Sequence, residues 1–184
     1  MKTSVSAIWR RLDAPGHDAA LLTTNDAGWL LRGVAVFARP AGPASIEYSL
    51  EIDRQWRALR GRIRGFLGER LIDWAISREA HGWRLDGAPV AGLGHLLDLD
   101  YSFTPATNLP QLRRANIRPG QASELPAAWF DVEAATLTEL PQRYERRDET
   151  KYWYMAPTVG YEGLLEVSAS GFIKSYPGLW RMEE

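Results

Sequence analysis

The two-residue spacing of apolar side chains constrains this chain more than any other feature. Ile46, Tyr48, Leu50 and Ile52 alternate with Ser45, Glu47, Ser49, Glu51 and Asp53. Successive side chains of an extended strand point to opposite faces, so such a run is a strand with one face in a core and one in water. Ile72, Trp74 and Ile76 repeat the pattern, as do Leu97, Leu99, Tyr101 and Phe103 around Asp98, Asp100 and Ser102. Turn-forming groups fall between the runs at Asn25-Asp26-Ala27-Gly28, Arg39 to Pro43, Gly68-Glu69, Asp86-Gly87, Ser170-Gly171 and Pro177-Gly178. Short strands spaced about eight to twelve residues apart predict a mainly β fold, a large antiparallel sheet, sandwich or barrel.

Two stretches are open to a helical reading. Trp56 to Leu67 carries apolar residues at helical spacing, but Gly61 and Gly65 interrupt it, each costing about 1 kcal/mol in a helix interior. Arg60, Arg62 and Arg64 alternate with Leu59, Ile63 and Leu67, and a strand is the better expectation. The stronger helix signal follows Thr107-Asn108, where a small polar cap precedes Leu109-Pro110 and proline is tolerated in the first turn. That helix should stop near Asn116, before Pro119-Gly120.

With 184 residues and no linker or repeat, the chain is expected to form one domain over 1–184. Nineteen of its 22 basic residues are Arg, yet 23 acids balance them and the net charge is −1, so no basic field draws in nucleic acid or anionic membrane. The absence of cysteine removes disulfides, thiol nucleophiles and thiolate zinc sites. The three histidines, His17, His81 and His95, have no ligand spacing, so neither metal nor cofactor is expected. Val34 to Ala38 is far too short to span a bilayer. The first residues reach Arg10-Arg11 without the apolar core of a signal peptide, and a cytoplasmic location is the expectation.

Serine-elbow, P-loop and dinucleotide signatures are absent from the sequence. The most pointed feature is Asp98-Leu99-Asp100, whose two carboxylates would share one strand face about 6.5–7 Å apart. Three readings compete: the solvated face of a half-buried strand, an acidic recess that accepts hydrogen bonds from sugar hydroxyls, or an acid/base pair for catalysis. The prolines of Thr104 to Pro110 make a stiff bend that returns Arg113 and Arg114 toward the strand. Either arginine would then satisfy an aspartate or help line a polar recess. Most of the eight Trp, seven Tyr and five Phe belong to the core.

The run Asp98-x-Asp100-x-x-Phe103-Thr104-Pro105-Ala106-Thr107-Asn108, with Pro110 and Arg113-Arg114, resembles a bacterial family described as glycolipid-binding. Trp9, Asp53-x-x-Trp56, Trp129-Phe130, Gln142-x-Tyr144-x-Arg146 and the closing Gly171-Phe172-Ile173 with Tyr176 to Trp180 extend the resemblance over nearly the whole chain. The resemblance implies a long, strongly curved antiparallel sheet, half-barrel-like, wrapped around a single α-helix. It further implies a homodimer, a remote likeness in shape to bacterial lipoprotein carriers, and an acidic pocket for a glycolipid or its sugar head. The implied ligand-binding residues are Asp98, Asp100, Thr107, Asn108, Arg113, Arg114, Asp53, Tyr144 and Tyr176. The expected function is binding of a sugar-bearing amphipathic small molecule. The alternative is an enzyme of glycolipid or carbohydrate metabolism that uses the paired carboxylates.

Overall fold

The computed structural model describes residues 4–183. Eight strands follow one another first: β1 (Ser4–Arg11), β2 (Gly16–Asn25), β3 (Gly28–Phe37), β4 (Ala44–Asp53), β5 (Ala58–Leu67), β6 (Arg70–Glu79), β7 (Gly82–Leu85) and β8 (Ala88–Val90). Next come β9 (Asp98–Tyr101), the helix α1 (Asn108–Ala115), β10 (Ala122–Glu124), β11 (Ala127–Asp131) and β12 (Thr136–Leu140). The chain closes with β13 (Arg143–Arg146), β14 (Lys151–Ala156), a 3-10 turn (Pro157–Val159), β15 (Tyr161–Val167), β16 (Ile173–Tyr176) and β17 (Trp180–Glu183).

Among the described residues, fourteen strands form one antiparallel sheet in the order β10-β13-β14-β15-β16-β17-β1-β2-β3-β4-β5-β6-β7-β8. The sheet does not close into a barrel, and both its edge strands are only three residues long. Short edges of this kind limit edge-to-edge aggregation. The chain ends meet within the sheet, where β1 pairs with both β17 and β2. The expected alternation is clear in β4, where Ala44, Ile46, Tyr48, Leu50 and Ile52 are buried and Glu47 and Glu51 are exposed. Each fully buried Leu, Ile or Phe on that inner face contributes about 1.5–3 kcal/mol.

The stretch with competing patterns is a strand, β5, and Gly61 shows why. A Cβ there would lie 2.0 Å from the Tyr101 hydroxyl oxygen and 2.8 Å from Leu99. The missing side chain lets β9 lie directly on β5, and Tyr101 reaches past it to donate to the Ser49 carbonyl at 2.9 Å. Trp56 lies ahead of that strand with φ of 65°, a left-handed conformation.

The Leu97–Phe103 run departs from expectation in its sheet. Its strand, β9, is shorter and belongs to a second, three-stranded sheet ordered β12-β11-β9, in which β9 and β11 run parallel. All four residues of β9 are buried, because a layer packs on each side of it. The helix forms where expected and stops at Asn116, which turns left-handed and sends its N–H to the Leu112 carbonyl. Leu109 and Leu112 bury α1 in the core inside the curved sheet.

Candidate functional site

The parity of β9 divides its side chains. Leu99 and Tyr101 face β5, so Asp98 and Asp100 face the opposite way, toward α1. Neither carboxylate is solvated: Asp98 is 2% exposed and Asp100 is 7% exposed. Asp98 accepts two hydrogen bonds from Arg114, from Nε at 2.9 Å and Nη2 at 2.5 Å. Burial pushes the Asp98 carboxyl up while those bonds pull against it, and Asp98 in turn raises the Arg114 guanidinium.

Among the described residues Asp100 has no such cation. It accepts from the Thr107 hydroxyl at 2.5 Å. Thr107 holds the helix N-cap position, yet its side chain makes no capping bond. Its hydroxyl instead joins Asp100 to the Tyr101 backbone N–H, from which it accepts at 3.3 Å. Burial dominates and raises the Asp100 carboxyl to about 6.

The buried first turns of α1 continue this polar layer into the outer sheet. Asn108 donates to the Tyr144 hydroxyl at 2.8 Å. Gln142 donates to Gln111 at 2.7 Å, and Gln111 to the Thr107 carbonyl at 3.3 Å. The Gln142 carbonyl oxygen accepts from Tyr154 at 2.7 Å and from Tyr144 at 3.4 Å. Satisfied in this way, the buried amides and phenols hold fixed positions.

In front of this layer lies a cavity of about 270 Å³. Asp100, Asn108, Trp129, Tyr154, Tyr161 and Tyr176 line it, with Leu140, Val159, Leu179 and Trp180 among the apolar walls. The tyrosines lean on one another, with centroids 4.9 Å apart for Tyr161 and Tyr176 and 5.8 Å for Tyr154 and Tyr176. Burial raises all three phenols, Tyr161 to about 12, so they are neutral hydrogen-bonding groups.

The nine candidate residues therefore separate. Asp100, Asn108 and Tyr176 line the cavity, and Thr107 and Tyr144 stand behind it, holding Asp100 and Asn108. Asp98 and Arg114 pair with each other. Arg113, the next residue of the helix, points elsewhere, donating to the Ser170 carbonyl and lining another cleft of about 380 Å³ with Trp56 and Arg146. Asp53 closes the turn after β4, accepting from the Gln55 and Arg57 backbone N–H groups and from Arg57 Nε.

Sequence reasoning missed Tyr154 and Tyr161 at the cavity, although Tyr152, Tyr154 and Ala156 alternate as inward residues of a strand. It also missed Asp18, which is wholly buried and shares the inward parity of Ala20 and Leu22. Among the described residues no three His, Asp or Glu converge as metal ligands, and no helix is long and apolar enough to cross a membrane.

A family profile described as "Putative glycolipid-binding" matches residues 6–182. The crystal structure of a DUF1089 family protein from Pseudomonas aeruginosa is similar, with a TM-score of 0.69 at 22% identity, over 97% of this chain and 91% of that one. At that identity the likeness concerns the fold. No curated protein matches the sequence significantly.

Proposed function

Because the chain belongs to the family described as "Putative glycolipid-binding", we propose that it binds the sugar head of an amphipathic small molecule in the cavity beside Asp100. The observation that carries this reading is the composition of that cavity's walls. Asn108 and Asp100 offer directional polar groups, while Trp129, Tyr154, Tyr161 and Tyr176 offer aromatic rings. Sugars present hydroxyls at their edge and C–H groups on their faces, and they need both. At about 270 Å³ the cavity falls just below the roughly 300 Å³ at which pockets for drug-sized ligands begin, a size suited to one small polar head. Val159 lines the same cavity and is 47% exposed, an apolar rim along which an alkyl chain can lie.

Binding fits the geometry better than acid/base catalysis by the aspartate pair. Asp98 is committed to Arg114 and is not among the cavity residues, so only one carboxylate meets a ligand. Native mass spectrometry of protein purified from its own host tests the reading. A co-purified species that carries a sugar and a lipid chain is expected, and protein that is ligand-free and fails to take up added alkyl glycosides would refute it.

The same reading includes a homodimer. Ile8, Ala19 and Val34 lie in one row across β1, β2 and β3 on the outer face. Leu21 and Val36 flank them, and Ile8, Leu21, Val34 and Val36 are 42–50% exposed. Arg32 and Glu47, both exposed, neighbour Val34 on this face, one two residues along β3 and the other opposite it on β4. An exposed apolar patch on the outer face is a surface that a second copy can cover across a two-fold axis.

A further inference from the structure

We infer that the ligand of this cavity carries a protonated amine, so that the sugar it accepts is an amino sugar. This rests on the sugar-binding reading and narrows it.

Three buried aspartates set the comparison. Asp98 is neutralised by Arg114. Asp18 does not line the cavity but stands behind it, held by the Tyr48 hydroxyl and by that of the lining residue Thr104. Asp100 alone faces the cavity, and its side-chain partner is the neutral Thr107 hydroxyl. Among the described residues, Asp100 is the single charged residue of the lining, and no Lys, Arg or His joins it there. A carboxylate withdrawn from water without a cation is costly, and a cationic ligand relieves that cost.

The remaining walls favour the same charge. Trp129, Tyr154, Tyr161 and Tyr176 bring four aromatic rings to the cavity beside Asp100, and an aromatic ring attracts an ammonium that settles over its face. A phosphorylated or carboxylated head would find no positive group and one negative group there. An ammonium in place of one sugar hydroxyl keeps the ring for stacking and gives Asp100 a charge-assisted hydrogen bond.

The test compares methyl β-D-glucosaminide, its N-acetyl derivative and methyl β-D-glucoside by isothermal titration at pH 7. The free amine is expected to bind about tenfold more tightly than either neutral analogue, the increment of one charged hydrogen bond. Asp100→Asn should bring that ratio close to one. Should that variant fold poorly, Tyr161→Leu provides the second arm: removing a ring face should shrink the amine preference, and Tyr161→Phe should keep it. The octyl counterparts separate a lipid headgroup from a free sugar, because only a headgroup site gains affinity from the chain. Equal binding of amine and neutral glycosides would overturn this inference and leave the sugar-binding reading intact. Failure of every glycoside to bind would refute that reading itself.

Discussion

Asp18 gives the sharpest prediction about stability. It sits at 0% exposure on the inner face of β2, with its oxygens 3.0 and 3.1 Å from the Tyr48 hydroxyl and 2.5 Å from the Thr104 hydroxyl. Among the described residues no cation pairs with it. Burial, opposed only in part by those bonds, raises its carboxyl from 3.8 to about 7. Between those values the folded chain holds a proton that the unfolded chain has released. Stability from this group is therefore complete below pH 3.8 and falls as pH rises to about 7. Each pH unit in that window costs about 1.4 kcal/mol, so about 4 kcal/mol is lost in all. Asp18→Asn keeps the size and a hydrogen-bonding side chain but cannot ionise. Urea unfolding followed by tryptophan fluorescence, from pH 4 to pH 8, should show the variant gaining about 4 kcal/mol relative to the parent chain across the range. The difference between the two curves isolates this site from Asp100, which titrates in the same direction, and from Asp13 and Asp53, whose lowered carboxyls act in the opposite one. Parallel curves would refute the argument.

Three further outcomes follow from the packing. Asp98→Asn leaves Arg114 without its partner and should cost about 3 kcal/mol in chemical denaturation, the low end for a buried pair because Arg114 keeps 21% of its side chain exposed; Asp98→Leu with Arg114→Met should recover most of the loss. Gly61→Ala places a methyl against Tyr101 and Leu99 and should lower stability by about 1–3 kcal/mol, with a smaller effect in a Tyr101→Leu background where the closer of the two clashes is removed. Light scattering should give about twice the 20.7 kDa chain mass, and Val34→Glu should return the monomer by placing a charge in the centre of the outer patch; a monomeric parent chain would contradict the dimer.

The large sheet was legible because its strands are amphipathic in the simplest way, one face in and one out, as in Ile46 to Ile52. β5 was legible despite a helical stripe, since Gly61 and Gly65 are poor helix residues. The placement of β9 was not legible. Its alternation is real, but the polar parity of Asp98 and Asp100 faces a helix rather than water, and only the parallel register with β11, some thirty residues later, puts it in a separate sheet. The Arg113-Arg114 pair illustrates the same limit. Neighbouring helical residues point about 100° apart, so one reaches Asp98 and the other Ser170, and sequence alone does not say which. A small polar cap was expected at Thr107-Asn108; Thr107 takes the N-cap position, and its hydroxyl is drawn to Asp100 because a buried carboxylate is the stronger acceptor. Tyr154 and Tyr161 reach the cavity from strands distant in sequence from the Asp98–Asn108 block, and the pairing of β14 with β15 brings them together.

The cavity's role as the binding site is tested most directly by following the tryptophan indole N–H signals in NMR spectra during titration with octyl β-D-glucoside and its 2-amino analogue. Trp129 and Trp180 line the cavity, while the Trp9 and Trp83 indoles are tied to the Ile173 and Leu96 carbonyls. Saturable shifts confined to Trp129 and Trp180, and lost in Asn108→Leu, are the expected result. Shifts absent from those two indoles, or centred on Trp56 in the cleft with Arg113, would contradict the account.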